Sequence, residues 1–382
     1  MYFNKAVLFK TLPLMKFFIV LIFIFSTIIF LKTLTYDYYP DFSSYYYGSI
    51  AVFDGENPYL GGEKYFTPFV YPPPVLLFFL PFTLLPYFIA EKMFAILSIL
   101  CLLLSVVLIF KIFKLTPFSL LGLFLTILVF NFFPVKFTLG MGQINNVVLL
   151  MVTLFVYFHV KKRELMSGLF LAIAIALKLF PVLLIIYLIF SKRWKALLSV
   201  ILTTIAITLV TFIFIDPKII SYFLTTALPS LLASWKADYY NQSLSAFLIR
   251  ELGNLELVNI VRPVISAILI TASLSFVWIF RRNDKSGLLS ISLLITLSLI
   301  VNTFSWQHHF VWLLIPLFIV FHFIRSNHFG TQYYFVLGIS YLLMAVNMKN
   351  FSMFPTFFQS HVLYGALILY ILNVNLLTKN IK

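Results

Sequence analysis

Charge is what this 382-residue chain lacks most. Asp, Glu, Lys and Arg make up 10% of it, against roughly 25% in an ordinary soluble domain. Hydrophobic residues account for 62%. A soluble globule has too little interior to hide that much apolar surface, so lipid is the solvent for much of it. Acids are scarcer still, 12 against 27 basic residues. In a soluble protein the net charge of +15 would point to nucleic acid. Here the basic residues fall in short clusters between apolar runs, the pattern that orients membrane proteins, which excludes nucleic acid as a partner. Cysteine is nearly absent: Cys101 stands alone in an apolar run, so no intrachain disulfide can form. No Gly-rich loop followed by Lys-Ser/Thr and no dinucleotide fingerprint occurs, which sets nucleotide-driven chemistry aside. With no Cys/His/Asp cluster at metal-ligand spacing either, neither metal nor other cofactor is expected.

What remains is a succession of apolar runs. Spans are expected near 17–34, 88–110, 117–133, 145–160, 165–177, 179–190, 196–215, 259–280, 287–304, 309–325, 332–347 and 360–377. This describes an all-α polytopic membrane protein of about 12 spans, a single domain over 1–382. Lys5, Lys10 and Lys16 before the first run imitate a signal peptide. Tyr36, Asp37 and Tyr38 follow it rather than a small-residue cleavage site, so it reads as a retained span.

Alternate connections differ sharply in charge. One set holds 17 of the 27 basic residues and, of the 12 acids, only Glu164 and Asp284. The positive-inside rule makes that face cytoplasmic, with both termini on it, in the plasma membrane. The other face carries two long segments, 35–87 and 216–258, where chemistry is usually housed. In the first, Tyr71-Pro72-Pro73-Pro74 introduces an apolar piece closed by Pro86. It is too short to cross comfortably and reads as an interfacial or re-entrant helix.

Several polar residues on that outer face could do chemistry. Asp37 and Asp41 follow the first span, where partial burial would suit a carboxylate to act as a base. Lys178 lies in an apolar stretch with no local acid, and an unpaired lysine costs about 2.5–3.5 kcal/mol at the bilayer centre. A helix up, a turn near Lys178–Pro181 and a helix down would bring its ammonium to the outer face, ready for a phosphate. In the run Gly140-Met141-Gly142-Gln143-Ile144-Asn145-Asn146, Gln143 and Asn145 offer amides at a helix start. Arg250 suits bidentate phosphate recognition. Asn241-Gln242-Ser243 lies in the second long segment and also fits a glycosylation acceptor pattern. His308 and His309 stand side by side, so both cannot point one way on a helix.

In order along the chain stand Asp41-Phe42-Ser43-Ser44-Tyr45, Gly55-Glu56-Asn57-Pro58-Tyr59, Tyr71-Pro72-Pro73-Pro74, Gly142-Gln143-Ile144-Asn145, Gly168 through Lys178 to Pro181, Lys192-Arg193-Trp194 and Asn241-Gln242-Ser243-Leu244. This ordered set, over roughly 30–310, resembles the glycosyltransferase family 87 enzymes, polyprenyl-phosphate-mannose-dependent mannosyltransferase-like proteins with the GT-C fold. The resemblance implies inverting transfer of a sugar, mannose by family default, from a polyprenyl phosphate to a hydroxyl of a glycolipid or glycan on the extracytoplasmic side. It puts the general base on Asp41 and the lipid phosphate on Lys178, with Arg250 as helper. Asp37, Tyr71, Gln143, Asn145, Asn241, Gln242 and one of His308 and His309 would contact substrate. A multi-pass transporter or lipid flippase is the competing reading, and a ligase- or polymerase-like transferase with another donor is a third. Against a transporter, the two halves show no internal repeat.

Overall fold

Proline sets where several helices begin, because its missing N–H falls among the orphan donors of a first turn. Pro40, Pro74, Pro134 and Pro217 each stand at the first or second position of a helix. The computed structural model describes residues 5–233, 237–284, 286–349 and 355–379; Lys285 and Lys382, counted above, and the side chains of Lys5 and Lys10 lie outside that description. The helices are α1 (Lys5–Leu31), α2 (Pro40–Phe53), α3 (Pro74–Phe79), α4 (Tyr87–Ile112), α5 (Leu120–Asn131) and α6 (Phe133–Met141). Then come α7 (Asn145–Val160), α8 (Glu164–Leu177), α9 (Leu183–Phe190), α10 (Trp194–Phe214), α11 (Pro217–Tyr222) and α12 (Leu228–Ala233). Last are α13 (Leu244–Leu252), α14 (Leu255–Phe280), α15 (Leu288–Val301), α16 (Leu314–Ser326), α17 (Thr331–Ala345) and α18 (His361–Thr378). Among the described residues the nearest thing to a strand is one antiparallel bridge between Asn241 and Trp306.

The apolar character of these helices is spent in two ways. α15 is buried from Leu288 to Ile300 and forms the axis of the bundle. α1, α10 and α14 instead turn most of their surface outward, with Phe25 64% and Ile213 74% exposed. Exposed aliphatic faces of that extent belong in hydrocarbon, and the chain is a membrane protein. Among the described residues six helices are long and apolar enough to cross a bilayer, or seven if the bent pair α5 and α6 is one span. The expected span 117–133 falls on α5, which stops at Asn131, and the unexpected α6 leaves its end at 50°. Pro134 has no N–H for the carbonyl of Phe130, and its ring would strike that carbonyl in a continuous helix. The piece expected to lie along the interface is α3 with the turn to Leu84, held under α2 by a hydrogen bond from Ser49 Oγ to Leu76 O (2.9 Å).

Four helix ends close alike. Lys114, Lys162, Lys192 and His328 sit in the left-handed region at φ 51, 57, 55 and 54°. The next residue returns its N–H to a carbonyl five positions back: Leu115 to Phe110 (2.9 Å), Arg163 to Phe158 (2.9 Å), Arg193 to Leu188 (2.9 Å) and Phe329 to Ile324 (3.0 Å). This is the Schellman closure, normally built on glycine. Side chains tie these turns into one basic end of the bundle. His159 Nε2 lies 3.0 Å from both Ser286 O and Tyr187 Oη, Arg193 pairs with Glu164 (3.0 Å), and Phe113 stacks on His322.

Candidate active site

At the opposite ends of several of these helices, buried polar groups from five segments converge. α2 presents Asp41 and Tyr45 on one face, since residues four apart stack along a helix. The turn after α6 reaches α2 only because residue 142 is glycine. Gly142 has φ 69°, and a Cβ there would stand 2.8 Å from Tyr39 Cβ and 3.0 Å from Phe42 Cβ. The close approach aims the next side chain at α2. Gln143 Nε2 donates to Asp41 Oδ2 at 2.5 Å, while the hydroxyls of Tyr45 and Tyr71 donate to Gln143 Oε1 at 2.9 and 3.0 Å. Tyr71 is held by the long segment before α4, which folds back on α2. Ser44 Oγ donates to Thr67 O (2.6 Å) and Tyr59 Oη to Tyr71 O (2.9 Å). Burial pushes the Asp41 carboxyl up to about 6, outweighing the Gln143 hydrogen bond and the charge of Lys178, which favour ionisation.

Lys178 stands where α8 stops. Its backbone is extended (φ −160°, ψ 127°), and Pro181 belongs to the turn that opens into α9. The side chain is buried. Nζ donates to Asn145 Oδ1 and to His309 Nε2, both at 2.8 Å, and lies 5.1 and 5.6 Å from the ring centres of Tyr71 and Trp312. An ammonium has no lone pair to offer, so Nε2 is the acceptor and the neutral His309 ring carries its proton on Nδ1. The cation is solvated by two lone pairs and two aromatic faces in place of a carboxylate. Two opposite charges, on Asp41 and Lys178, thus share one buried pocket of side chains without being ion-paired to each other.

The adjacent histidines divide their work. His309 reaches Lys178 and lies parallel to Trp312, whose Nε1 donates to Asn145 O (3.0 Å). The ring of His308 turns to Phe137 and Trp306, and its carbonyl accepts from Thr138 Oγ1 (2.9 Å) and Asn145 Nδ2 (3.3 Å). Their rings stand at 81°.

Not every expected residue comes to this cluster. Asp37 is exposed. Gln242 gives Nε2 to Tyr239 O (2.6 Å) and Gln359 O (2.7 Å), and its Oε1 accepts from Val362 N (3.1 Å). Asn241 binds the 303–305 backbone. Arg250 spends its guanidinium on Asp238 O (3.1 Å), Asn241 O (3.0 Å) and Ser360 Oγ (2.7 Å). These three fasten the second long segment to the ends of α15 and α18. Trp312 and Thr138 were missed in the sequence. Trp312 lies three residues after His309, a spacing that signals a shared helical face; Thr138 has no such signal. No group of three or more His, Cys, Asp or Glu residues could hold a metal among the described residues.

A family model, Glycosyltransferase family 87, matches residues 69–303. The chain belongs to that family. It is therefore a glycosyltransferase, and the matched stretch contains Tyr71, Gln143, Asn145 and Lys178, while Asp41 and the two histidines lie beyond its edges. The glycosyltransferase is also 26% identical over 296 residues to the "Polyprenol-phosphate-mannose-dependent alpha-(1-2)-phosphatidylinositol mannoside mannosyltransferase" of Mycobacterium tuberculosis, covering 72% of this chain and 68% of the relative. Among solved structures it is similar to ArnT from Cupriavidus metallidurans bound to undecaprenyl phosphate, with a TM-score of 0.43 and 10% identity over 94% of this chain and 76% of that one.

Proposed function

We propose that this glycosyltransferase moves a hexose, mannose in the first instance, from a polyprenyl-phosphate donor to a hydroxyl of a glycolipid or glycan. The observation that carries the reading is the burial of Asp41 and Lys178 on either side of the Gln143–Tyr71 contact, an acid–base group and an amine that can carry charge in one site. The likeness to a mannosyltransferase named for a polyprenol-phosphate-mannose donor supports the donor class. In the transfer, the acceptor oxygen attacks the anomeric carbon and its proton passes to Asp41. The bond from that carbon to the phosphate oxygen breaks on the opposite face, and polyprenyl phosphate leaves with its new charge against Lys178. Attack opposite to departure inverts the anomeric centre. The donor is already activated, so no nucleotide takes part. Asn145 and His309, as acceptors on Nζ, fix where the ammonium stands.

The proposed topology has about twelve crossings, short helices included, in a GT-C-type arrangement with both termini cytoplasmic. The basic end then faces the cytoplasm and the Asp41–Lys178 site faces outward, where an enzyme using lipid-linked sugars has no need of nucleotide donors. Purified protein, given polyprenyl-phosphate mannose and envelope glycolipids, is expected to yield a product one hexose heavier by mass spectrometry. Absence of transfer from any polyprenyl-phosphate sugar, with folding intact, would overturn the donor assignment.

A further inference from the structure

The basic end holds a site that sugar transfer does not use. The α7–α8 turn and the α9–α10 turn lie side by side because α8 and α10 are in backbone contact. A Cβ on Gly168 would stand 2.1 Å from Ala196 O, and Ser199 Oγ donates to Leu165 O at 2.7 Å. Between the turns is an open cleft of about 630 Å³ lined by Lys162, Arg163, Lys192, Lys195, Trp194 and Glu164, with Leu165 and Met166. The one acid is already neutralised, since Glu164 pairs with Arg193 at 3.0 Å. Four cations are thus left facing an open space. Two of them, Lys162 and Lys192, occupy left-handed positions that glycine fills at lower cost, so both ammonium groups are kept against a local backbone penalty. Trp194 is 57% exposed beside them, an indole of the kind that settles at headgroup depth. The field of two helix starts, α8 and α10, neither capped by a side chain, has the same sign.

We propose that this cleft binds the phosphate headgroup of an anionic phospholipid from the surrounding leaflet. Four cations around one concavity complement a phosphodiester, and the indole with the exposed Leu165 and Met166 meets the glycerol and upper acyl region. The occupant is a lipid rather than a free anion because exposed apolar side chains, Trp194, Leu165 and Met166, line the same cleft as the cations.

The test uses full-length protein, stripped of lipid in neutral detergent and titrated with phosphatidylglycerol or phosphatidylcholine, with adducts counted by native mass spectrometry. The wild type retains phosphatidylglycerol selectively. The double variant Lys162→Gly/Lys192→Gly, whose backbone is relaxed rather than strained, loses about thirtyfold in phosphatidylglycerol affinity, as expected of two basic contacts near a membrane surface. Lys114→Gly, at the same end but outside the cleft, retains it. Equal retention by wild type and double variant overturns the site, as does equal loss in Lys114→Gly, which would make the effect one of diffuse charge. Displacement of the lipid by millimolar inorganic phosphate overturns the lipid assignment in favour of a free anion.

Discussion

Lysine serves opposite purposes at the two ends of this bundle. Lys178 is buried, and its partners are 33 and 131 residues away in sequence. Lys162 and Lys192 are exposed, and their turns are closed by backbone bonds to carbonyls within the preceding helix. At one end the tertiary fold supplies what the charge needs; at the other, water does, and the local chain bears the cost. A charge held by distant partners is a tool for chemistry because its surroundings are fixed. A charge held by water is a tool for orientation and for binding at a surface.

If that contrast is right, removing charge at the buried end should be costly and at the exposed end nearly free. The largest effect is expected from Asp41→Asn, which keeps the side chain's size and removes the base. Transfer should fall by roughly 10²–10⁴-fold with the helical circular dichroism unchanged; a loss under tenfold would remove Asp41 from the base role. Next comes Lys178→Met, which matches the stem and deletes the cation. A drop of about 10²-fold in kcat/KM for the lipid-linked donor is expected, with the acceptor KM little changed; an effect on acceptor alone would contradict the phosphate contact.

The pH dependence is intermediate. Asp41, with its carboxyl raised to about 6 by burial, is protonated below that value and is no longer basic enough to take the acceptor's proton. Activity should rise with pH to about 6 and fall again above about 7, where burial lets the Lys178 ammonium lose its proton, and Gln143→Leu, which removes a hydrogen bond favouring the ionised carboxylate, should move the rise to higher pH. A flat profile between pH 4.5 and 7.5 would show that another group limits the rate. The smallest effect is expected at the exposed end. Lys114→Gly relieves a left-handed lysine worth about 1 kcal/mol, so the detergent-solubilised enzyme should melt slightly higher with transfer unchanged. A lower melting temperature would mean that the side chain, not the backbone, matters there.

The same contrast explains what could be read without coordinates. The basic end was legible because its features are local: lysine clusters between apolar runs announce helix boundaries, and a helix lies at each expected span. The turn at Lys178 was legible for a similar reason, since an apolar stretch between two charge clusters was too long for one helix and carried a proline. The expected span closed at 133, next to Pro134, but the short helix α6 beyond the bend was not expected. At the buried end, individual residues such as Gln143 and Asn145 stood out for their chemistry, but nothing local separates them from Asn241 and Gln242. All four are amides at helix starts. Only the tertiary fold decides that Gln143 faces a carboxylate and Gln242 faces backbone carbonyls. His308 and His309 are a sharper case, since one residue of rotation puts one ring on Lys178 and the other against Phe137.

Two phenols that point into one amide oxygen also give the site a direction. Tyr45 and Tyr71 both donate to Gln143 Oε1, so the amide can only turn its NH₂ toward Asp41. The phenol hydrogens point at the amide oxygen and the amide hydrogen at the carboxylate, so Gln143 offers Asp41 a donor and no acceptor. If Asp41 is the base, the proton it takes does not leave through Gln143, and its departure is a step separate from sugar transfer. That step would show as a solvent isotope effect on steady-state turnover that is missing from a single round.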